Sequence, residues 1–126
     1  MVMDVLLVDD EEEFVDAFAE RLRLRGFVPH VAHDGEQALR MIETGCARLM
    51  VLDLKMPGMD GIEVLRRVKS TCPEVQVIIL SGHGSDRDEE VALNFGAFGY
   101  LRKPANIETV VEILRRAEIN RKMQVL

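Results

Sequence analysis

Tryptophan is absent from the sequence, and aromatic residues make up only 5% of its 126 residues. Proteins that bind single-stranded nucleic acid stack the bases on aromatic side chains, so that mode of binding has no support here. A surplus of basic residues is absent as well: the formal net charge is −6, which argues against binding to a nucleic-acid backbone. We therefore expect no direct nucleic-acid binding by this chain.

Cysteine and long apolar runs are also scarce. The two cysteines, Cys46 and Cys72, match no zinc-ligand spacing, and we interpret both as reduced thiols. No apolar run approaches the roughly 20 residues that a membrane-spanning helix needs. The N-terminus lacks the basic segment and the long apolar segment of a signal peptide. We therefore expect a cytoplasmic protein that does not associate with membranes.

Short apolar runs alternate with helical patterns five times along the chain. The predicted strands cover residues 5–8, 27–32, 48–52, 76–80 and 98–101. Strands that alternate with helices through short loops indicate a parallel sheet with helices on both faces. Pro29 lies near the start of the second strand and places that strand close to a sheet edge. We expect one α/β domain over residues 1–120, followed by a C-terminal tail, residues 121–126, that frays.

Polar residues stand where the predicted helices begin. Asp60 and Asn106 are placed to cap the third and fifth helices, and Glu63 is placed to support the cap at Asp60. Residues 85–88 resemble a capping box at the start of the fourth helix. Phe95 is expected on the apolar side of that helix, and Gly96 is expected to end it.

Reactive side chains follow four of the five predicted strands. Asp9 and Asp10 follow the first strand, Asp53 the third, Ser81 the fourth and Lys103 the fifth. Open α/β sheets bind their ligands at the carboxyl ends of the strands. Two carboxylates about 4 Å apart repel by roughly 4 kcal/mol at an effective dielectric constant of 20, which favours a cation among them. Three acids, a hydroxyl and an amine therefore suggest a site for a divalent cation and a phosphoryl group.

Each of these residues also has a simpler interpretation. Asp9 and Asp10 could stabilise the start of the first helix, where acids are favoured. Asp53 could be a turn acid, Ser81 could form a turn through its hydroxyl, and Lys103 could be a solvated lysine. The joint arrangement favours the site, because four independent explanations would otherwise have to coincide at four strand ends.

Four segments resemble bacterial two-component response regulator receiver domains, in order and in spacing. They are residues 7–11 (LVDDE), 53–61 (DLKMPGMDG), 80–84 (LSGHG) and 96–104 (GAFGYLRKP). The resemblance covers essentially the whole chain and is closest to the chemotaxis-regulator type. It implies a single-domain, doubly wound (βα)5 flavodoxin-like fold with a five-stranded parallel sheet in the order 2-1-3-4-5. In that order the four polar strand ends are contiguous.

The resemblance also implies a function as a phosphoacceptor. Asp53 would accept a phosphoryl group from the phosphohistidine of a histidine kinase and form an acyl phosphate. Asp10 would bind Mg²⁺ directly and Asp9 mostly through water, with Asp53 and the backbone carbonyl of Lys55 as further ligands; Mn²⁺ is the alternative ion. Such a domain catalyses only its own phosphorylation and dephosphorylation and is not otherwise an enzyme.

A conformational switch follows from the same resemblance. Lys103 would supply a positive charge to the phosphoryl group, and Ser81 would donate a hydrogen bond to it. Ser81 would move toward the phosphoryl group and Tyr100 would turn inward, while the Lys103–Pro104 bond would be cis. The face made by the fourth helix, the fifth strand and the fifth helix would then signal to an output domain or a protein partner. A homodimer that forms on phosphorylation is a further option, and His83 could affect the phosphoryl lifetime.

Three other functions are less consistent with the residues. A metal-dependent phosphohydrolase with an aspartyl-phosphate intermediate would carry a second acid two residues after Asp53, where this chain has Lys55. A flavodoxin-like mononucleotide binder would have a first strand–helix turn rich in Gly, Ser or Thr, whereas residues 9–11 are all acidic. A receiver that takes no phosphoryl group would have lost some of the five strand-end residues, and all are intact.

Overall fold

The strands form one parallel sheet in the order β2-β1-β3-β4-β5. The structure, a computed structural model, describes residues 2–82 and 84–124. Its strands are Met3–Val8 (β1), Phe27–Ala32 (β2), Leu49–Leu52 (β3), Gln76–Ser81 (β4) and Gly99–Arg102 (β5). Its helices are Glu12–Arg23 (α1), Gly35–Glu43 (α2), Gly61–Thr71 (α3), Asp86–Asn94 (α4) and Ile107–Gln124 (α5). The predicted fold class and strand order are confirmed, and β2, which contains Pro29, lies at an edge.

Apolar side chains of the sheet point alternately into two buried layers. Along β4, Val77 and Ile79 pack into the layer covered by α2, α3 and α4. Ile78 and Leu80 pack into the opposite layer, which α1 and α5 cover. A strand that is buried on both faces needs a continuous apolar run, because neighbouring side chains point to opposite faces. This explains why the inner strands carry apolar residues without alternation.

Caps fix where the helices begin. The Asp60 side chain accepts hydrogen bonds from the backbone N–H groups of Ile62 and Glu63, at 2.7 and 3.2 Å. The capping box between Ser85 and Asp88 is complete. Asn106 accepts a hydrogen bond from the Glu108 N–H at 2.8 Å. These three predicted helix starts are therefore confirmed.

The role predicted for Glu63 is wrong. Its carboxylate pairs with Arg66 at 2.6 Å and with Arg67 at 2.8 Å, one turn further along α3. Residues three and four apart face each other on a helix, so Arg66 and Arg67 compete with the backbone of Asp60 for the Glu63 carboxylate and, being charged, bind it more strongly. The two pairings with Arg66 and Arg67 therefore replace the expected capping contact.

The prediction for Phe95 is also wrong. Phe95 is not on the apolar side of α4: the helix ends at Asn94, and Phe95 is 42% exposed beside Gly96, which takes φ 103°. The tail expected from residue 121 is helical up to Gln124, where α5 ends, and its fraying stays a prediction. The Gln76 amide donates to Gln124 Oε1 at 3.4 Å and anchors this last turn to β4. Residues 125–126 lie outside the described part of the chain.

The start of α3 lies against the backbone that follows β3. A Cβ atom at Gly61 would lie 2.5 Å from the carbonyl oxygen of Asp53 and 2.5 Å from Leu54 Cα. Both are backbone atoms, so the neighbour cannot move aside as a flexible side chain would. Glycine at position 61 therefore lets α3 pack directly under the turn that carries Asp53.

We predict that Gly61→Ala destabilises the protein by about 1–3 kcal/mol, because the added methyl group must push α3 away from this turn. Gly82→Ala is the matched control, since a Cβ there meets only the Lys103 side chain, at 3.6 Å. Urea unfolding of both variants measures the difference. Equal stability of the two variants would contradict the close packing of α3 against the backbone of Asp53 and Leu54.

Candidate functional site at the carboxyl ends of the strands

Four neighbouring strand ends carry the reactive side chains. Asp9 and Asp10 directly follow β1, Asp53 follows β3, Ser81 is the last residue of β4, and Lys103 follows β5. Because β1, β3, β4 and β5 are adjacent in the sheet, all five residues lie along one edge. The edge strand β2 is the one without such a residue at its end. The sheet order therefore brings together the residues that the sequence pattern selected.

Three carboxylates converge at the centre of this edge. One oxygen each from Asp9, Asp10 and Asp53 lies within 4.8 Å of the other two. Within residues 2–82 and 84–124 this is the only group of three or more potential metal ligands. Asp9 and Asp53 are 4% and 3% exposed, and Asp10 is the most accessible of the three. Hard oxygen donors with one open side suit Mg²⁺, which is bound through few carboxylates and keeps water ligands.

Backbone contacts hold two of the acids in place. The Asp53 N–H donates to the Val8 carbonyl at 3.0 Å and so extends the pairing of β1 with β3 by one residue. Asp9 Oδ1 accepts from the Glu11 N–H at 2.9 Å, and Asp53 Oδ1 accepts from the Lys55 N–H at 3.4 Å. The carboxylates therefore keep their positions through contacts within their own turns.

Lys103 supplies the positive charge of the site. Its Nζ donates to Asp9 Oδ2 at 2.8 Å and to Glu11 Oε1 at 3.1 Å, and it lies 3.9 Å from Asp53 Oδ2. Burial lowers the pKa of Lys103, but its contacts with these three carboxylates outweigh burial and raise the pKa above its ordinary value. The amine is therefore protonated at neutral pH.

Asp53 has opposing influences on its ionisation. Burial raises the pKa of Asp53, and the negative charge of Asp9 adds to this effect. The Lys103 ammonium and a hydrogen bond with the Ser81 side chain lower it, and the net shift is upward. Ser81 is fully buried, and its carbonyl accepts from the Lys103 N–H at 3.0 Å, which fixes the lysine backbone beside β4.

Tyr100 reaches toward the loop between β4 and α4. Its ring packs against the layer of α2, α3 and α4, and its hydroxyl is buried without a hydrogen-bond partner in the described part of the chain. Burial raises the pKa of Tyr100. A Cβ atom at Gly84 would collide with the Tyr100 hydroxyl. The inward position of this ring therefore depends on glycine at position 84.

Arg102 ties this loop to β5. Its Nη1 donates to the Gly84 carbonyl at 2.9 Å, its Nη2 donates to Asp86 Oδ1 at 2.8 Å, and its guanidinium lies 5.7 Å from the Tyr100 ring centre. On the other side, Lys55 Nζ lies 3.9 Å from Asp88 Oδ2. The start of α4 is therefore linked both to β5 and to the turn that follows Asp53.

Some of these residues were not predicted to belong to the site. Alternation along a strand puts Arg102 on the same face as Tyr100, so this contact could have been found from the sequence. No local sequence pattern marks the contact of Phe14 with Lys103 or the packing of Gly84 against Tyr100. The Lys103–Pro104 bond is cis. The Lys55 carbonyl as a metal ligand stays a prediction, and His83 lies outside the described residues.

The comparisons with known proteins agree with this arrangement. The family model "Response regulator receiver domain" matches residues 5–115. A putative NtrX-like response regulator of Rickettsia bellii is 38% identical over 118 residues, which is 92% of this chain and 25% of that protein. The transcriptional regulatory protein CpxR of Shigella flexneri is 39% identical over 124 residues, or 95% of this chain and 53% of that protein. The chain thus spans between a quarter and about half of these relatives.

Solved structures show the same architecture. A CheY-like receiver domain protein from Methanospirillum hungatei superposes with a TM-score of 0.93 at 26% identity, covering 98% of this chain and 99% of that one. The receiver domain of NtrX from Brucella abortus has a TM-score of 0.85 at 33% identity, covering 90% and 97%. None of the described helices combines the length and apolar character of a membrane-spanning segment.

The contact between Tyr100 and Gly84 can be tested by fluorescence. The sequence has one tyrosine and no tryptophan, so intrinsic emission reports on Tyr100 alone. We predict that Gly84→Ala displaces the ring toward solvent and raises its quenching by acrylamide. Gly82→Ala, which places no atom near Tyr100, should leave the quenching unchanged. Equal quenching in the Gly84→Ala variant and the original protein would show that the ring does not depend on this glycine.

The raised pKa of Asp53 predicts how stability depends on pH. The folded protein binds a proton at Asp53 more readily than the unfolded chain. The stability that this group contributes is therefore fully present below the ordinary pKa of an aspartate and is lost as the pH rises through the raised pKa. In EDTA, Asp53→Asn should therefore raise the free energy of unfolding at pH 7. The gain should shrink as the pH falls toward about 4, the ordinary pKa of an aspartate. Urea unfolding across this pH range measures the gain in the free energy of unfolding. A gain that does not depend on pH would refute the raised pKa of Asp53.

Proposed function

The chain belongs to the response regulator receiver domain family of two-component systems, and we propose that Asp53 accepts a phosphoryl group from the phosphohistidine of a histidine kinase. The observation that carries the proposal is the position of Asp53. One oxygen each from Asp53, Asp9 and Asp10 lies within 4.8 Å of the other two, and Lys103 Nζ lies 3.9 Å from Asp53 Oδ2. A carboxylate placed between acidic metal ligands and a cation suits transfer of a phosphoryl group.

The transfer requires a nucleophile and a leaving group. A carboxylate oxygen of Asp53 attacks phosphorus, the new O–P bond forms, and the P–N bond to the donor imidazole breaks. The electron pair of that bond leaves on the imidazole nitrogen, which takes up a proton. The Lys103 ammonium and the Ser81 hydrogen bond both favour the ionised form of Asp53, which is the nucleophilic one. The charge on Lys103 also attracts the oxygens of the incoming phosphoryl group.

Asp9, Asp10 and Asp53 are proposed to hold Mg²⁺, with the backbone carbonyl of Lys55 as a further ligand and Mn²⁺ as the alternative ion. Three carboxylate oxygens within 4.8 Å fit a hard divalent cation. When bound there, the ion supplies positive charge that neutralises the phosphoryl oxygens in the transition state. Two buried acids at this distance also favour a cation on electrostatic grounds alone.

The switch is proposed to pass from Asp53 through Ser81 to Tyr100. A phosphoryl group on Asp53 offers new acceptors to the Ser81 hydroxyl and to Lys103. Movement of Ser81 toward the phosphoryl group opens space for the Tyr100 ring, whose hydroxyl packs beside Gly84, to turn further inward. The surface made by α4, β5 and α5 has two conformations, and phosphorylation changes their populations. The conformation that is then favoured signals to an output domain or a protein partner. A phosphorylation-dependent homodimer and a cytoplasmic location remain part of the proposal.

Two of the three alternative functions lack the residues that they require. A phosphohydrolase of the aspartyl-phosphate type needs an acid two residues after its nucleophile, and Lys55 instead directs its ammonium toward Asp88, at 3.9 Å. A mononucleotide binder needs a phosphate cradle after β1, and that turn carries Asp9 and Asp10 instead.

Phosphorylation can be tested on the chain alone. Incubation with Mg²⁺ and acetyl phosphate should add the mass of one phosphoryl group, and EDTA should prevent the reaction. Asp53→Asn should abolish the added mass, because its amide is not a nucleophile. Asp60→Asn is a matched control on an exposed helix cap and should be labelled normally. Intact mass spectrometry gives the result, and equal labelling of Asp53→Asn would disprove the assignment.

A further inference from the structure

The aromatic ring of Phe14 lies beneath the ammonium group of Lys103. Lys103 Nζ is 4.1 Å from the centre of the ring, well inside the roughly 6 Å range of a cation–π contact. The Lys103 side chain is 14% exposed, so water competes little with this contact. Cation–π contacts are strongest where the cation is desolvated.

The ring is held in place from below. Phe14 and Phe18 stack with their centres 5.7 Å apart and their planes at 17°. Phe18 is buried in the layer between the sheet and α1 and α5. Phe14 and Phe18 also line a small pocket together with Asp9 and Asp53. The Phe14 ring is therefore a packed apolar surface beside the acidic site.

The other partners of the ammonium are all carboxylates. Asp9 and Asp53 are also proposed to bind the divalent cation, and two cations at one pair of carboxylates compete for the same oxygens. The third partner, Glu11, has a side chain that is 60% exposed and would draw the amine toward solvent. The Phe14 ring attracts the ammonium without sharing any oxygen with a metal ion.

We propose that Phe14 is a positioning residue, which keeps the Lys103 ammonium within reach of Asp53 through the face of its ring. This inference rests on the phosphoacceptor function proposed above. A leucine at position 14 fills much of the same space but has no aromatic face. In Phe14→Leu the Lys103 ammonium loses the aromatic ring, which is its one uncharged partner among these contacts. It then spends less time beside Asp53.

The rate of labelling by acetyl phosphate and Mg²⁺ tests the proposal. Phe14→Leu should react about 3- to 30-fold more slowly, the range expected when a contact of about 0.6–2 kcal/mol is lost. Phe14→Tyr keeps an aromatic face and should restore the rate to within about twofold. Phe27→Leu is the matched control: it removes the same ring atoms from the same layer, at the start of β2, and should leave the rate unchanged. Circular dichroism establishes a temperature at which every variant is folded.

A second readout needs neither metal nor phosphodonor. An aromatic face shifts the proton resonances of a group above it upfield, so the ε-methylene protons of Lys103 should resonate upfield in the original protein, in Phe14→Tyr and in Phe27→Leu. The shift should be lost in Phe14→Leu. Absence of the shift from the original protein, or a Phe14→Leu rate equal to the original, would overturn the positioning role. If the original protein takes no label at all, the phosphoacceptor function itself fails, and the positioning role fails with it.

Discussion

The ammonium of Lys103 is the charge that lets two buried carboxylates, Asp9 and Asp53, lie at one edge of the sheet. Two such carboxylates about 4 Å apart repel by roughly 4 kcal/mol at an effective dielectric constant of 20. Lys103 lies 2.8 Å from one and 3.9 Å from the other, and it lowers the pKa of Asp53 against the effect of burial. The site therefore combines buried carboxylates with a cation before any ligand arrives.

The rest of the fold holds these charges at fixed positions. Parallel pairing of β1 with β3 sets the distance between two acids, and pairing of β4 with β5 sets Lys103 beside Ser81. Gly61 lets α3 pack directly under the turn of Asp53. The same edge is linked to α4 through Lys55 and Asp88 and through Arg102. Lys55 and Arg102 therefore connect the neighbourhood of Asp53 to the surface of α4 and β5.

The sequence alone predicted the parallel sheet, the edge position of β2 and the five polar residues at four strand ends, because buried strands have short apolar runs and their polar ends follow directly. It failed where several partners compete for one side chain or where distant segments meet. The carboxylate of Glu63 pairs with Arg66 and Arg67 on its own helix and not with the expected cap. Gln76, on β4, contacts Gln124 in the last turn of α5. Phe14 and Lys103 are 89 positions apart (103 minus 14), and no local pattern marks their contact.

A phosphoryl group on Asp53 would place its oxygens within reach of the Ser81 hydroxyl and Lys103 Nζ. Trifluoroberyllate mimics a phosphoryl group on a carboxylate, so a crystal structure of the Mg²⁺-loaded protein soaked in this compound tests this arrangement. We expect beryllium bonded to an Asp53 oxygen, with fluorine atoms within hydrogen-bond distance of the Ser81 hydroxyl and Lys103 Nζ. Beryllium bonded to another residue would rule out Asp53 as the phosphoacceptor, and an adduct on Asp53 that neither Ser81 nor Lys103 contacts would rule out their role in binding the phosphoryl oxygens.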